Sequence, residues 1–284
     1  MQVFQLSRYE QNQFPLSAFR QDAHKGYPAH SHDFTELALV LAGEGVHVGP
    51  AGDRPFQAGD VFVIEPGAVH SYRAKATFSV VNVMYDASRL RLPDHDFRML
   101  PGFHALFHLE PRARLKAPPG AANLRVDAKD LARMETLADT LLTELQERRP
   151  GYQSMAAAVL AELIVFLSRR VQCADAAGRN SQAIGRALSC IERRYAEPLT
   201  LEELADEANM SVRSLQRRFR EAVGVTPFRR LLEVRVSRAK ALLRDPSLSV
   251  SQVAFMTGFC DSNYFCRQFR RLEGVPPSQI RPPR

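Results

Sequence analysis

The sequence predicts two domains: an N-terminal β-barrel of jelly-roll type carrying a helical hairpin, then an all-α domain of two helix-turn-helix units joined by a long helix. Three observations carry this. Short Val/Leu/aromatic runs punctuated by Gly and Pro fill the first third of the chain. The hydrophobic period then changes from 2 to 3.6, and the last third contains an internal repeat.

The barrel strands are read at Glu36–Leu41, Gly45–Gly49, Asp60–Ile64 and Phe78–Tyr85, with turns at Ala42-Gly43, Gly49-Pro50, Gly59-Asp60 and Pro66-Gly67. Evenly spaced short strands of this kind favour a barrel or sandwich. Pro111 to Ala122 reads as a Pro/Gly/Ala-rich connection. Beyond it, Val126, Leu131, Met134, Leu137, Ala138, Leu141, Leu142 and Leu145 recur at helical spacing, and a second helix runs from about Ser154 to Val171. Pro150-Gly151 divides the two, which makes a helical hairpin. Its wide apolar stripe suggests a homodimer interface at Leu137, Leu141 and Leu145, against the alternative that they pack on the barrel. Residues 1–172 are thus a barrel and dimerisation domain, residues 173–181 (CADAAGRNS) an interdomain linker, and residues 182–284 the second domain.

A shift of 50 residues pairs Leu215 with Phe265, Arg217 with Arg267, Phe219 with Phe269, Arg220 with Arg270, Gly224 with Gly274, Val225 with Val275 and Pro227 with Pro277. The C-terminal segment is therefore a duplicated unit. In the first copy Thr200 and Glu203 form a capping box, Asn209-Met210 turns, and Ser211 caps a second helix with Leu215 and Phe219 inward. In the second, Ser249 and Gln252 form the box, Thr257-Gly258 turns, and Asp261 caps a helix with Phe265 and Phe269 inward. Phe228 to Arg244 is a long helix holding the copies apart, so that one chain can address successive major-groove faces about 34 Å apart.

The composition, 45% hydrophobic and 24% charged over 284 residues, excludes a disordered or collagen-like chain. Met1 to Glu10 lacks the apolar core of a signal peptide. The apolar run Met155–Leu167 contains Glu162 and is too short for a bilayer. Cys173, Cys190, Cys260 and Cys266 show no paired spacing and read as thiols of a reducing compartment, so a cytoplasmic protein without membrane contact is expected. The net charge of +7 is polarised. Residues 181–284 hold 18 Lys+Arg against 11 Asp+Glu, which leaves 20 of each in residues 1–180, and all eight histidines lie between His24 and His108. A neutral, histidine-bearing module joined to a basic one suits a sensor coupled to nucleic acid.

The outward faces of the second helices fit that reading. Arg213, Gln216, Arg217 and Arg220 lie outside in the first copy; Ser262, Asn263, Cys266, Arg267 and Arg270 lie outside in the second. Arg grips guanine bidentately, and Asn or Gln grips adenine. Arg213, Gln216, Arg217, Asn263, Cys266 and Arg267 are the base-edge candidates. Arg220, Arg270 and the Arg229/Arg230 pair are the phosphate candidates.

The stretches LADEANMSVRSLQRRFREAVGVTPFRRL and VAFMTGFCDSNYFCRQFRRLEGVPPSQIR closely resemble the DNA-binding domain of AraC/XylS family transcription regulators. The resemblance implies double-stranded DNA as a partner, RNA polymerase at the promoter, and base-contacting roles for the six residues just named.

In the N-terminal half, His30 and His32 sit at i, i+2, with Glu36 on the same face of an extended segment. His70, after Pro66-Gly67, could return a third imidazole. Such a set suits Zn, Ni, Fe or Mn. The spacing resembles the cupin signature: His30, His32, Glu36 and Gly43 match its first motif, and Gly59, Pro66, Gly67 and His70 match its second loosely. A small-molecule effector pocket is expected in the barrel mouth, lined by His30, His32, Glu36, His70, Tyr72 and Asn82, whose hydrogen-bonding groups and aromatic face suit a polyol. HSHDFTEL, NVMYD and PGFHALFHLEP resemble the L-rhamnose-responsive branch of the family, which implies a sugar effector and an activator of a sugar-catabolic operon. Arabinose-responsive members carry an Arg near the place of Ala42, so arabinose is disfavoured. The alternative is a metal-dependent cupin enzyme, a dioxygenase or isomerase, fused to a DNA-binding domain.

Overall fold

The computed structural model describes residues 2–49, 52–90, 92–109, 111, 124–170 and 176–280. The chain forms two compact units, Met1–Gly185 and Arg186–Arg284. Pro50, the Pro111–Ala122 connection after its first residue, Val171 and Cys173 lie outside the described residues.

In the first unit one sheet curls on itself. Its strands are β1 (Gln2–Phe4), β2 (Leu16–His32), β3 (Thr35–Ala42), β4 (Glu44–Gly49), β5 (Gly52–Gln57), β6 (Asp60–Ile64), β7 (His70–Tyr85) and β8 (Leu124–Arg125), in the order β1-β2-β7-β3-β6-β8, with β4 joining β5 to β7. The long β7 is the hub. Its Ser79–Tyr85 half is flanked by β2 and β3, while Ser71–Arg73 pairs with β4. The four expected strands are all present.

Alternation sorts side chains onto two buried faces. Leu37, Leu39, Val61, Val63, Val81 and Val83 face a core shared with the helices. Ala38, Val40, Phe62, Ile64, Phe78 and Val80 fill the barrel interior. Burial on both faces is why these strands read as near-continuous apolar runs. After two short helices, α1 (Asp94–Arg98) and α2 (Pro101–Phe103), and a π-helical stretch (His104–Leu109), the outer face is covered by α3 (Ala128–Glu147) and α4 (Tyr152–Arg170). Asp127 caps α3 by accepting from the Asp130 N–H. By length and composition α4 could cross a membrane, but Leu160, Leu163, Ile164 and Leu167 are buried in the core under the hairpin.

That covering role corrects one expectation. Leu137 and Leu141 are 4% and 0% exposed within the single chain, and half-buried Leu145 packs on the same core. Leu137 and Leu141 therefore have no free surface to offer a second copy. A sheet apolar on both faces needs a cover, and the hairpin stripe supplies it. The linker also differs from expectation. Helix α5 (Ala176–Arg194) already runs through Ala176–Ser181, and the units divide at Gly185/Arg186. The buried stripe Ala183, Ile184, Ala187, Leu188 and Ile191 nucleates the helix, and adding turns to a formed helix costs little.

The second unit contains α6 (Leu201–Glu207), α7 (Val212–Val223), α8 (Pro227–Leu242), α9 (Val250–Met256) and α10 (Ser262–Glu273). Thr200/Glu203 and Ser249/Gln252 form reciprocal capping boxes, and Ser211 and Asp261 cap the second helix of each copy. The duplication extends to the helix ends, where Gly224 and Gly274 take left-handed φ values of 85° and 79°. Gly258 turns at φ 86°, and a Cβ there would lie 2.8 Å from the Tyr195 carbonyl oxygen. Buried Glu192 of α5 braces α8 through Arg238 (2.8 Å) and Arg230 (3.3 Å).

Candidate effector pocket and nucleic-acid interface

Helix α7 buries Leu215 and Phe219 completely and leaves Arg213, Gln216, Arg217 and Arg220 exposed. Helix α10 repeats this, with Phe265 and Phe269 buried and Asn263, Arg267 and Arg270 exposed. Each recognition face is thus a by-product of the apolar i, i+4 pair that docks its helix. Arg217 is held by Glu221 at 3.2 Å, an exposed i, i+4 pair that is cheaply exchanged for a base. Cys266 is half-buried and packs against the second copy's core, at the edge of the reading face. Tyr264, which sequence reasoning passed over, is 44% exposed with the Arg267 guanidinium 5.9 Å from its ring centre. Its signal was its place one turn before Arg267 on the same helix face. Arg229 and Arg230, expected on phosphates, are instead drawn into ion pairs with Glu233 and Glu192. Helix α8, of 16 residues, spans roughly 24 Å between the copies.

The barrel holds a cavity of about 290 Å³, near the low end of small-molecule sites. Of the expected lining, His30, His32, Glu36, Tyr72 and Asn82 are on its wall. His70 is not; it sits behind the wall, its ring 4.2 Å from that of His30. The aromatic faces come from Phe4, Tyr9, Phe19, Tyr27 and Phe34, and Gln21 adds a second amide beside Asn82. Most of these were missed because they lie on β1 and β2. The N-terminal strap reaches the pocket by parallel pairing of Gln2–Phe4 with His30–His32, fixed by Asp33 N–H to the Phe4 carbonyl at 3.1 Å. The one available signal for β2 was the i, i+2 alternation of Phe19 and Gln21.

The histidine cluster has a defined protonation pattern. Nδ1 of His30, His32 and His70 each faces a backbone carbonyl, of Pro28 (2.9 Å), Phe34 (2.7 Å) and Ala68 (3.3 Å). A carbonyl can only accept, so Nδ1 carries the proton and each neutral ring presents a lone pair at Nε2. Burial pushes the imidazoles down, His32 to about 4 and His70 to about 3, and pushes Glu36 up to about 8. Burial thus favours the neutral form of every member of the cluster. His32 Nε2 lies 3.3 Å from Glu36 Oε2, and His70 Nε2 lies 3.8 Å from it. Buried Asn82 Oδ1 has no hydrogen-bond partner among the described residues, and a protonated Glu36 is the one group placed to donate to His32 Nε2.

Three members, His30, Glu36 and His70, offer ligand atoms within 4.8 Å of one another; His32 is not part of that tight set and meets Glu36 from the side. Lone pairs fixed by carbonyl-bound Nδ1 groups are what a metal ligand set requires, so the donors fit a divalent cation.

A duplicated DNA-reading helix pair joined in one chain to a barrel with a small-molecule cavity defines a ligand-binding transcription regulator. Comparison with known proteins gives the same result for both halves. Residues 15–100 match the AraC-like ligand binding domain and residues 204–282 a helix-turn-helix domain. The HTH-type transcriptional activator RhaR of Escherichia coli K12 is 30% identical over 259 residues, covering 90% of this chain and 87% of that protein, and RhaR of Shigella dysenteriae serotype 1 matches to the same extent. A solved AraC-type DNA-binding regulator from Chromobacterium violaceum is 30% identical over 34% of this chain and 88% of its own, with a TM-score of 0.33. The chain belongs to the AraC/XylS family of transcriptional regulators.

Proposed function

We propose that this regulator is a cytoplasmic, sugar-responsive transcription activator of a sugar-catabolic operon. The observation that carries the effector class is the pocket: the buried acceptor Asn82 Oδ1, without a donor among the described residues, and the polar groups of His32 and Gln21, set beside aromatic faces. Hydroxyl groups are the donors such acceptors suit, and a ring of C–H bonds suits the aromatic walls. The relatives named above as activators support the direction of regulation, and the likeness to the L-rhamnose-responsive branch makes L-rhamnose the first sugar to test.

In this reading the effector binds two conformational states with different affinity and so shifts the DNA-binding units between them. Two copies act together, joined by the solvent face of the hairpin, where Met155 is 50% exposed, and RNA polymerase is the final contact at the promoter. The histidine cluster is a binding site and not a catalytic one. A second reading of the cluster rests on its Nε2 lone pairs: His30, Glu36 and His70, with His32 beside them, would hold a divalent cation. Such an ion would supply Lewis acidity toward vicinal hydroxyls.

The test is the melting temperature of the full chain across an aldose panel including L-rhamnose, with and without chelator. A sugar at about 100 times its dissociation constant stabilises by about 2.7 kcal/mol, several degrees. A selective shift supports the sugar reading, and its loss with chelator supports the cation. No shift with any sugar refutes the effector class, and sugar turnover would favour the enzyme alternative.

A further inference from the structure

The first unit holds another cavity of about 290 Å³, equal in volume to the effector pocket. It lies between the N-terminal strap, the start of β2 and the turn of the helical hairpin. Phe14, Leu142, Leu145 and Tyr152 form its apolar wall, with the Phe14 and Tyr152 rings edge-on at 6.0 Å. Gln11, Gln146 and Arg148 supply its polar groups. No carboxylate is among the described lining residues, so Arg148 leaves the cleft with a net positive charge. Helix α3 ends and helix α4 begins on the same wall, so their opposed dipole ends offset and Arg148 carries the charge.

The backbone around the cleft turns tightly. Five described non-glycine residues have left-handed φ, and three of them flank this cavity: Asn12 (53°), Gln13 (58°) and Arg148 (51°). Asn12 and Gln13 make a tight turn, closed by Phe14 N–H to the Gln11 carbonyl at 3.0 Å and pinned by Arg89, which donates to the Gln13 carbonyl at 3.1 Å. The Arg148 Nε donates to the Leu145 carbonyl at 3.1 Å, which fixes its guanidinium at the rim. Arg148 takes its left-handed φ as the C-cap of α3, its N–H donating to the Glu144 carbonyl at 3.1 Å.

We propose that this cleft is a second small-molecule site, which takes a small organic anion with an apolar body. Its apolar part lies against Phe14, Leu145 and Tyr152, and its anionic head meets Arg148 and the two glutamines. The ligand is a co-regulator, because Tyr9 lines both cavities. A molecule that moves Tyr9 from one side alters the other, and the two affinities change by the same factor.

The probe is phenyl phosphate, titrated calorimetrically into the full chain, with phenol and inorganic phosphate as separate controls. Saturable binding of one phenyl phosphate per chain is expected, with both controls weaker. Arg148→Gln and Gln146→Glu, both at exposed positions, should each weaken it by roughly tenfold or more, as loss of a charge-assisted contact or an added like charge does. Asn82→Ala, in the effector pocket, should leave it unchanged. Absence of saturable binding overturns the site. So does equal affinity in both rim variants, or a loss confined to Asn82→Ala, which would put the probe in the effector pocket. Inorganic phosphate binding as tightly as phenyl phosphate overturns the apolar half of the proposal.

Discussion

Truncating Leu141 to alanine separates the two roles that a hairpin leucine could have. Its side chain is 0% exposed and lies in the core that also contains Val83, Leu160 and Leu163. Leu141→Ala removes three carbon atoms, and the packed sheet and hairpin around them relax only partly. The lost transfer energy plus the residual cavity amounts to about 2–5 kcal/mol. For a unit of this size each kcal/mol moves the midpoint by roughly 2–4 °C, so a loss near 3 kcal/mol lowers the first unit's transition by about 6–12 °C. Differential scanning calorimetry of the full chain at two concentrations a decade apart is the assay. A core residue gives the same drop at both concentrations, whereas a residue at a subunit interface gives a midpoint that follows protein concentration. A shift under about 1 °C together with dissociation in sedimentation would refute the packing argument and restore the dimer role to this face.

Three further perturbations test other parts. Arg217→Ala and Arg267→Ala should each cost about 1–3 kcal/mol in binding to the cognate DNA and relax preference at one base position; unchanged affinity and preference in selected-site binding would remove these helices from the groove. Asn82→Ala should weaken the effector roughly tenfold in an induction curve, since a buried effector donor loses its acceptor, while the DNA affinity of the effector-free protein stays as it was; an unaltered curve removes Asn82 from the pocket. Gly258→Ala should destabilise the second unit by more than about 1 kcal/mol, because a Cβ meets the Tyr195 carbonyl in a left-handed turn, and a denaturation midpoint equal to wild type would contradict the turn geometry.

What was legible in the sequence follows from how local each determinant is. The capping boxes at Thr200/Glu203 and Ser249/Gln252 are set by residues three apart, and the repeat compares the chain with itself, so the second unit could be read almost completely. Strands β3, β6 and the Phe78–Tyr85 half of β7 were legible because burial on both faces makes them largely apolar; the more polar, more exposed His70–Thr77 half was not read as strand. Strand β2 was not. Most of its 17 residues are exposed or half-buried, it carries Pro28, and its register with β7 shifts three times, so no run of alternation marks it. The pocket residues on β2 and the strap were hidden with it, since the parallel pairing of Gln2–Phe4 with His30–His32 is a tertiary fact. The grouping of His30, Glu36 and His70 was visible from spacing, but the place of His70 behind the cavity wall was not.

The same alternation that sorted the core gives the pocket a route to the rest of its unit. On β2, Phe19 and Gln21 face the cavity, while Arg20 between them reaches α3, with its Nη2 3.1 Å from Glu135 and its Nη1 3.1 Å from Asp139. On β3, Glu36 faces the cavity while Leu37 and Leu39 pack in the core under the hairpin. Each strand thus carries pocket contacts on one face and hairpin contacts on the other. A ligand that draws Gln21 or Glu36 inward is expected to act on α3 through Arg20, Leu37 and Leu39, and an induction curve unaltered by Leu39→Ala would refute that route. The exposed Arg20 pairs are individually weak and screened, so the packed leucines carry the larger share of that coupling.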